Sequence, residues 1–398
     1  MNYGLTCKLL LLAVALVFGQ SEETGSAFNK YMAPEEGVNP LSGTVAFSKP
    51  LATISAGQAQ SSFVLNYSSN ITQQIKNRND IAPTGWVGLG FSMGFAKIVS
   101  DNAQSMGLYD DTYTIITAEG ARHKIIYDST QATKKWWIEN LPFWKIERKI
   151  DSKTVTGFDI VVGWVITDDK GIKYEYGDGS YCKSNADATC SMQQATQYEL
   201  AYPKYGHVGK SIGGEDIPYP NAWNLAKQID LEGNYLIYYY NQELEKVKVA
   251  SEYRTDSAIK NYNWESKNKY TKECYLSKVE SSQGSKVVFE LKAKGNRGDG
   301  FADEYLSVTG KNEPLNSSKI DPIERKFLSK ISTYGMDGKV LGHIDFCYKP
   351  LLFNYANNHE TNQKYVKRLL TSLIWTNSEA QETDREDYIY NENTTQIE

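Results

Sequence analysis

The sequence predicts an all-β fold, an array of antiparallel β-hairpins, with a β-sandwich as the alternative. Three observations carry this. The 398 residues include 28 tyrosines, which favour strands because one ring face packs while the hydroxyl stays wet. An alternating apolar strand runs repeatedly into a turn bearing Gly, Asp or Asn, and a second strand ends in Tyr or Phe. Finally, the stretch from Gly85 to Ile98 holds Gly85, Gly88, Gly90 and Gly94 and has no charge before Lys97. Glycine costs backbone entropy in a strand, so this density marks close backbone approach or tight turns.

The N-terminus reads as a secretory signal over residues 1–19. Lys8 is the positive region, Leu9 to Phe18 is unbrokenly apolar, and Val17-Phe18-Gly19 precedes Gln20. That run spans about half of a bilayer core, too little for a transmembrane helix. The chain is therefore expected to be secreted or at the cell surface. Of five cysteines, Cys7 leaves with the signal and Cys182, Cys190, Cys274 and Cys347 remain. Cys182 and Cys190 flank a small polar loop that a disulfide closes easily. Cys274 and Cys347 lie in apolar runs, where pairing and buried thiols are both open readings. Residues 20–37 are polar and unpatterned and read as a flexible segment.

From residue 38 to 130 the chain reads as an opening β segment containing the glycine line. Tyr113–Gly120 returns as Lys124–Asp128. Residues 131–376 then carry the hairpin array. Trp164–Gly171 returns as Ile172–Asp178, and Leu225–Asp230 turns at Gly233 and returns as Tyr235–Asn241. Leu276–Val279 turns at Gly284 into Lys286–Leu291, and Leu328–Ile331 turns at Gly338 into Gly342–Tyr348. Leu370–Leu373 leads through a polar loop to Tyr388–Asn391, within a frayed end over 377–398. Gly206–Pro220 reads as a long loop, and Tyr253–Lys272 as a polar insertion or an excursion between strands. Each hairpin has a face that only its neighbours cover, so stability is shared along the array.

Several lines occur in a telling order. Asn39-Pro40-Leu41-Ser42-Gly43-Thr44 and Phe63-Val64-Leu65-Asn66-Tyr67 precede Gly85-Trp86-Val87-Gly88-Leu89-Gly90-Phe91-Ser92. Asp110–Ile115, Thr167–Gly177 and Trp223–Ile229 follow. Over residues 35–393 this order resembles the Rhs/YD-repeat family, large secreted β-shell proteins that include toxin-complex shells. The resemblance implies part of an Rhs-type shell with Gly85, Trp86, Gly88, Leu89, Gly90 and Ser92 as its structural motif. It implies a non-enzymatic scaffold for toxin encapsulation, toxin delivery or surface interaction. Its partners would be other protein chains or a downstream Rhs/YD segment. The sequence ends just after Tyr390, short of the family's Tyr-Asp array and effector, so a short form or a piece of a larger shell is expected.

Chemistry is sparse. His123, His207, His343 and His359 lack metal-ligand spacing, and His123 and His343 read as structural strand residues. Lys204 stands where a phosphate loop ending at Gly209-Lys210-Ser211 requires glycine. No metal site and no cofactor are expected, apart from a weak calcium reading near Asp299 and Asp303 whose ligand order is incomplete. Trp136, Trp137 and Trp144 are a candidate ligand platform for sugars or protein. A secreted carbohydrate- or surface-binding β protein, with cell-surface glycans as partners, is therefore the alternative function. A net charge of −5 with interspersed signs argues against a nucleic-acid partner. The Asn-x-Ser/Thr triplets at Asn66, Asn70, Asn316 and Asn393 are glycosylation acceptors only in a eukaryotic secretory path.

Overall fold

The computed structural model describes residues 45–69, 85–101, 112–118, 120–128, 135–151, 160–179, 195–201, 217–255, 258–293, 326–357 and 360–389. Residues 1–19, the Cys182–Cys190 loop and the Asp299/Asp303 segment lie outside them. The described residues contain strands and turns and no helix, so the all-β expectation holds. The strands are β1 (Ala46–Ala56), β2 (Ala59–Ser68), β3 (Phe91–Ser92), β4 (Lys97–Asp101), β5 (Thr112–Ile116), β6 (Arg122–Asp128), β7 (Lys135–Ile138), β8 (Lys145–Asp151), β9 (Ile160–Thr167) and β10 (Lys173–Tyr176). They continue as β11 (Thr196–Ala201), β12 (Ile217–Ile229), β13 (Tyr235–Thr255), β14 (Ala258–Ser281), β15 (Lys286–Ala293), β16 (Lys326–Tyr334), β17 (Val340–Asn357), β18 (Glu360–Asn377) and β19 (Glu382–Asp387).

The chain divides into two compact units, Met1–Phe47 with Ser68–Asn70, and Ser48–Tyr67 with Ile71–Glu398. In the first, Val45 N–H donates to Ser69 Oγ at 2.8 Å and Ser69 N–H to the Val45 carbonyl at 2.8 Å. The second holds nearly everything else. One sheet is three-stranded, β1-β2-β3; the other has 16 strands along β19-β18-β17-β16-β15-β14-β13-β12-β4-β5-β6-β7, with β8-β9-β10 and β11 joined at β12. From β12 to β19 each strand pairs with the next in sequence, which is the predicted hairpin array.

Among the described residues one turn is used six times. The first residue's N–H donates to the fifth residue's carbonyl, and the fourth residue's N–H returns to the first residue's carbonyl, at 2.9–3.2 Å. The fourth residue is left-handed, with φ between 61° and 95°, at Gly120, Gly171, Gly233, Gly284, Gly338 and Ala380. This is a type I turn closed by a left-handed residue, a common way to close a three-residue hairpin. The first residue is Thr117, Asp168, Asp230, Ser281, Gly335 or Asn377. Except at Gly335, its side chain accepts a backbone N–H inside the turn. At Gly335 the third residue substitutes, with Lys339 N–H donating to Asp337 Oδ1.

Three expectations need correction. Tyr253–Thr255 and Ala258–Lys272, expected as an insertion or an excursion between strands, are themselves strand: they belong to β13 and β14, which pair from Leu236↔Ser281 to Thr255↔Ala258 with three register shifts. Their polar composition hid the strands because a two-stranded ribbon need not bury either face. The loop expected up to Pro220 gives way to β12 at Ile217, paired with β11. Pro218 and Pro220 lie before β12 begins pairing with β4 at Ala222, where among described residues it has a single strand neighbour, the setting in which proline is tolerated. The last return strand is Glu382–Asp387, not Tyr388–Asn391. Asn377 closes its turn early, and strongly charged residues supply an edge strand that apolar patterning does not reveal.

Ala380 is the one described member of the turn set that bears a side chain in the left-handed region, and it is exposed. Ala380→Gly is expected to raise unfolding free energy by up to about 1 kcal/mol. Gly233→Ala, whose added methyl would meet nothing within 4 Å, should lower it by about 1 kcal/mol through backbone strain alone. Urea unfolding of both variants checks the pair.

Candidate functional site

The glycine line is a bridge through the core. Gly88 N–H donates to the Gly85 carbonyl at 2.9 Å and Phe91 N–H to the Gly88 carbonyl at 3.2 Å, folding the line into two successive tight turns. Each turn makes one contact to the large sheet. Leu89 N–H donates to the Arg368 carbonyl on β18 at 2.8 Å, and Leu328 N–H on β16 donates to the Trp86 carbonyl at 2.7 Å. Val87 and Leu89 are buried, and Ser92 is exposed in β3. Gly88 has φ +103°, and a Cβ there would stand 3.2 Å from Leu370 N, 3.3 Å from Arg368 O and 3.4 Å from Tyr348 Cε1. The motif residues are thus brought together as a structural element.

Aromatic rings fix the line on both sides. Trp86 lies 5.3 Å from Phe95, 6.3 Å from Tyr275 and 6.4 Å from Phe289. Phe91 lies 4.8 Å from Tyr67 and 5.1 Å from Tyr388. Phe63 of β2 meets Phe289 of β15 edge-on at 5.0 Å, so the small sheet and the large one share this core. Beneath Gly88, Arg368 is 1% exposed, its guanidinium 3.7 Å from the Phe327 ring centre and 5.6 Å from that of Tyr348. A guanidinium is weakly hydrated and planar, so aromatic faces suit it when buried.

A second buried centre joins the end of β10 to β11, β12, β13 and β14. Asp178 Oδ1 accepts from Ala195 N–H at 2.7 Å, and Asp178 N–H donates to Thr196 Oγ1 at 3.0 Å. Asn224 N–H donates to the Ala195 carbonyl at 2.7 Å, and Asn224 Nδ2 to Cys274 Sγ at 3.2 Å. Gln242 Nε2 donates to the Thr196 carbonyl, and Tyr240 OH to the Leu225 carbonyl at 2.7 Å. Burial pushes the Asp178 carboxyl above its ordinary value, against the opposing pull of its Ala195 and Thr196 hydrogen bonds. Burial likewise pushes up the Cys274 thiol, with the charges of Asp178 and Glu273 adding to it. Tyr238, enclosed beside this centre, is pushed up to about 12 by burial. These polar groups hold strands together. Cys274 and Cys347 are both thiols, not joined to each other.

The candidate platform residues separate. Trp136 faces inward, 4.7 Å from Tyr127 and 5.9 Å from both Tyr113 and Trp164, with the Arg148 guanidinium 4.4 Å from its ring centre. Trp137, next along β7, points the other way and is 41% exposed. Trp144 stacks on Tyr174 at 6.2 Å and 7°. His123 and His343 sit on β6 and β17. No group of three or more metal-ligating side chains exists among the described residues.

Sequence reasoning missed Arg368 and the Asp178–Thr196 staple. Arg368 had a signal, a charge directly before Leu369-Leu370 in a strand. Asp178 had none, because its partners, the Ala195 N–H and the Thr196 hydroxyl, are brought to it from the head of β11 by folding.

No protein-family model matches the chain, and no curated protein matches it in sequence. Among solved structures, the TcdB2-TccC3 complex is similar over 86% of this chain and 16% of its own, at 14% identity and TM-score 0.43. The N-terminal domain of the effector protein SpvB from Salmonella typhimurium is similar over 86% of this chain and 99% of its own, at 12% identity and TM-score 0.44. The Tc holotoxin pore of Photorhabdus luminescens is similar over 86% of this chain and 15% of its own, at 13% identity and TM-score 0.43. The chain thus spans a small fraction of the toxin-complex chains and nearly all of the SpvB domain. Likeness at this level leaves the fold to be argued from the chain's own strands.

Gly88→Ala is expected to destabilise by about 2–3 kcal/mol, more than Gly233→Ala, because crowding against β18 adds to strain. Paired urea curves decide whether the bridge matters as described. For Asp178 the folded pKa lies above the unfolded one. Its contribution to stability is therefore complete below the unfolded value, near pH 4, and is lost as pH rises through the folded value. Asp178→Asn should flatten the stability–pH curve above pH about 4; an unchanged slope in thermal melts would refute the assignment.

Proposed function

We propose that the chain is a secreted, non-enzymatic scaffold that forms part of an Rhs-type β-shell wall and serves by enclosing or presenting other polypeptide. The carrying observation is the run β12 to β19, a wall laid down strand after strand in sequence order. The glycine line supports this reading. It fastens an N-terminal segment across the wall at β16 and β18, at the motif on which the family resemblance rests. The polar groups around Asp178 and Asn224 are engaged in joining strands, which suits a scaffold. The signal-like residues 1–19 fit export.

The experiment pairs secretion with protection. Culture medium should contain a chain beginning at Gln20 by N-terminal sequencing. Co-expressed with the polypeptide encoded immediately downstream, the chain should co-purify with it and make it resistant to a protease that digests it alone. No co-purification and no gain in resistance would sink the encapsulating role. Turnover in a broad substrate screen would sink the non-enzymatic one.

A further inference from the structure

The outer strands of the two sheets are not alike. β19 reads Glu382-Thr383-Asp384-Arg385-Glu386-Asp387, β8 reads Lys145-Ile146-Glu147-Arg148-Lys149-Ile150-Asp151, and β1 carries Lys49-Pro50. Charge and proline of this kind block edge-to-edge pairing. β7 reads Lys135-Trp136-Trp137-Ile138 and has neither device beyond one lysine. Among the described residues it pairs with β6 on one side and with no strand on the other.

The register fixes which main-chain groups that open edge presents. Glu139 N–H donates to the Lys124 carbonyl at 2.8 Å. By alternation, Trp137↔Ile126 and Lys135↔Asp128 are also hydrogen-bonded pairs. The N–H and C=O groups of Trp136 and Ile138 therefore point away from β6. The Ile138 carbonyl accepts Leu141 N–H at 3.1 Å, which leaves it a second lone pair.

We propose that β7 is a homodimerisation strand that pairs antiparallel with β7 of a second copy about a two-fold axis through Trp137. In that register Trp136 lies opposite the partner's Ile138, and Ile138 opposite the partner's Trp136, so each pair exchanges both of its hydrogen bonds. Trp137 meets the partner's Trp137 as a non-hydrogen-bonded pair, where side chains come closest, with Cβ atoms about 4.5–5.5 Å apart. Its 41% exposure is then covered by an identical ring. In this register position 135 falls opposite the partner's position 139, so the sequence sets a Lys position against a Glu position on both sides of the axis. Lys-Trp-Trp-Ile-Glu is self-complementary under this operation, and that selects a second copy over an unrelated strand. Phe143, 81% exposed in the turn after β7, adds apolar surface beside the contact.

Sedimentation of the full secreted chain over a wide concentration range tests this. The weight-average mass should double as concentration rises. Trp137→Lys, on an exposed position, should return it to the monomer value with the circular dichroism of the fold retained. Lys135→Glu should weaken the dimer, and adding Glu139→Lys to it should restore the association, which a merely structural effect would not do. A monomer at every concentration, or a dimer indifferent to Trp137→Lys, overturns the proposal and leaves the shell reading standing.

Discussion

The close passage of Gly88 over β18 is the constraint on which the rest depends. Main chain meets main chain there, with Leu89 bonded to Arg368 and a Cβ at Gly88 crowded to 3.2 Å from the Leu370 nitrogen. Because the line fits, Trp86 and Phe91 reach rings on opposite sides of it. Through them the three-stranded sheet and the large sheet become one core. The buried Arg368 guanidinium belongs to the same contact, since its strand holds the acceptor for Leu89.

Elsewhere the architecture is modular. One turn, with a side-chain acceptor at its first position and a left-handed fourth residue, redirects the chain again and again. Each use needs local residues alone. Asp230 extends the device, since its Oδ2 also accepts from Gln58 N–H at 2.9 Å and so ties the β1–β2 turn to the β12–β13 turn. The wall is thus specified locally, while its attachment to the glycine line is specified by distant contacts.

That division explains what the sequence made legible. Hairpins such as β9–β10, β12–β13 and β16–β17 were readable because glycine and alternating apolar residues are local signals. The glycine line was readable as a place of close approach, but not what it approaches. Polar strands such as Tyr253–Thr255 and Glu382–Asp387 were not readable, since pairing alone makes them strands. The tryptophans looked like one group in sequence. Alternation along β7 sends Trp136 inward and Trp137 outward, and the turn after β7 carries Trp144 to Tyr174.

The bridge between Leu89 and Arg368 also dictates an order of events as the chain is made. The hairpins are contacts between near neighbours and form as soon as each pair of strands is available. The glycine line has no such option. Its acceptor on β18 follows β4 to β17 in sequence, so Leu89 stays without this contact until those strands have been made. Closing that long loop is the slow, non-local step. Until it happens the line is an apolar stretch in need of protection from aggregation.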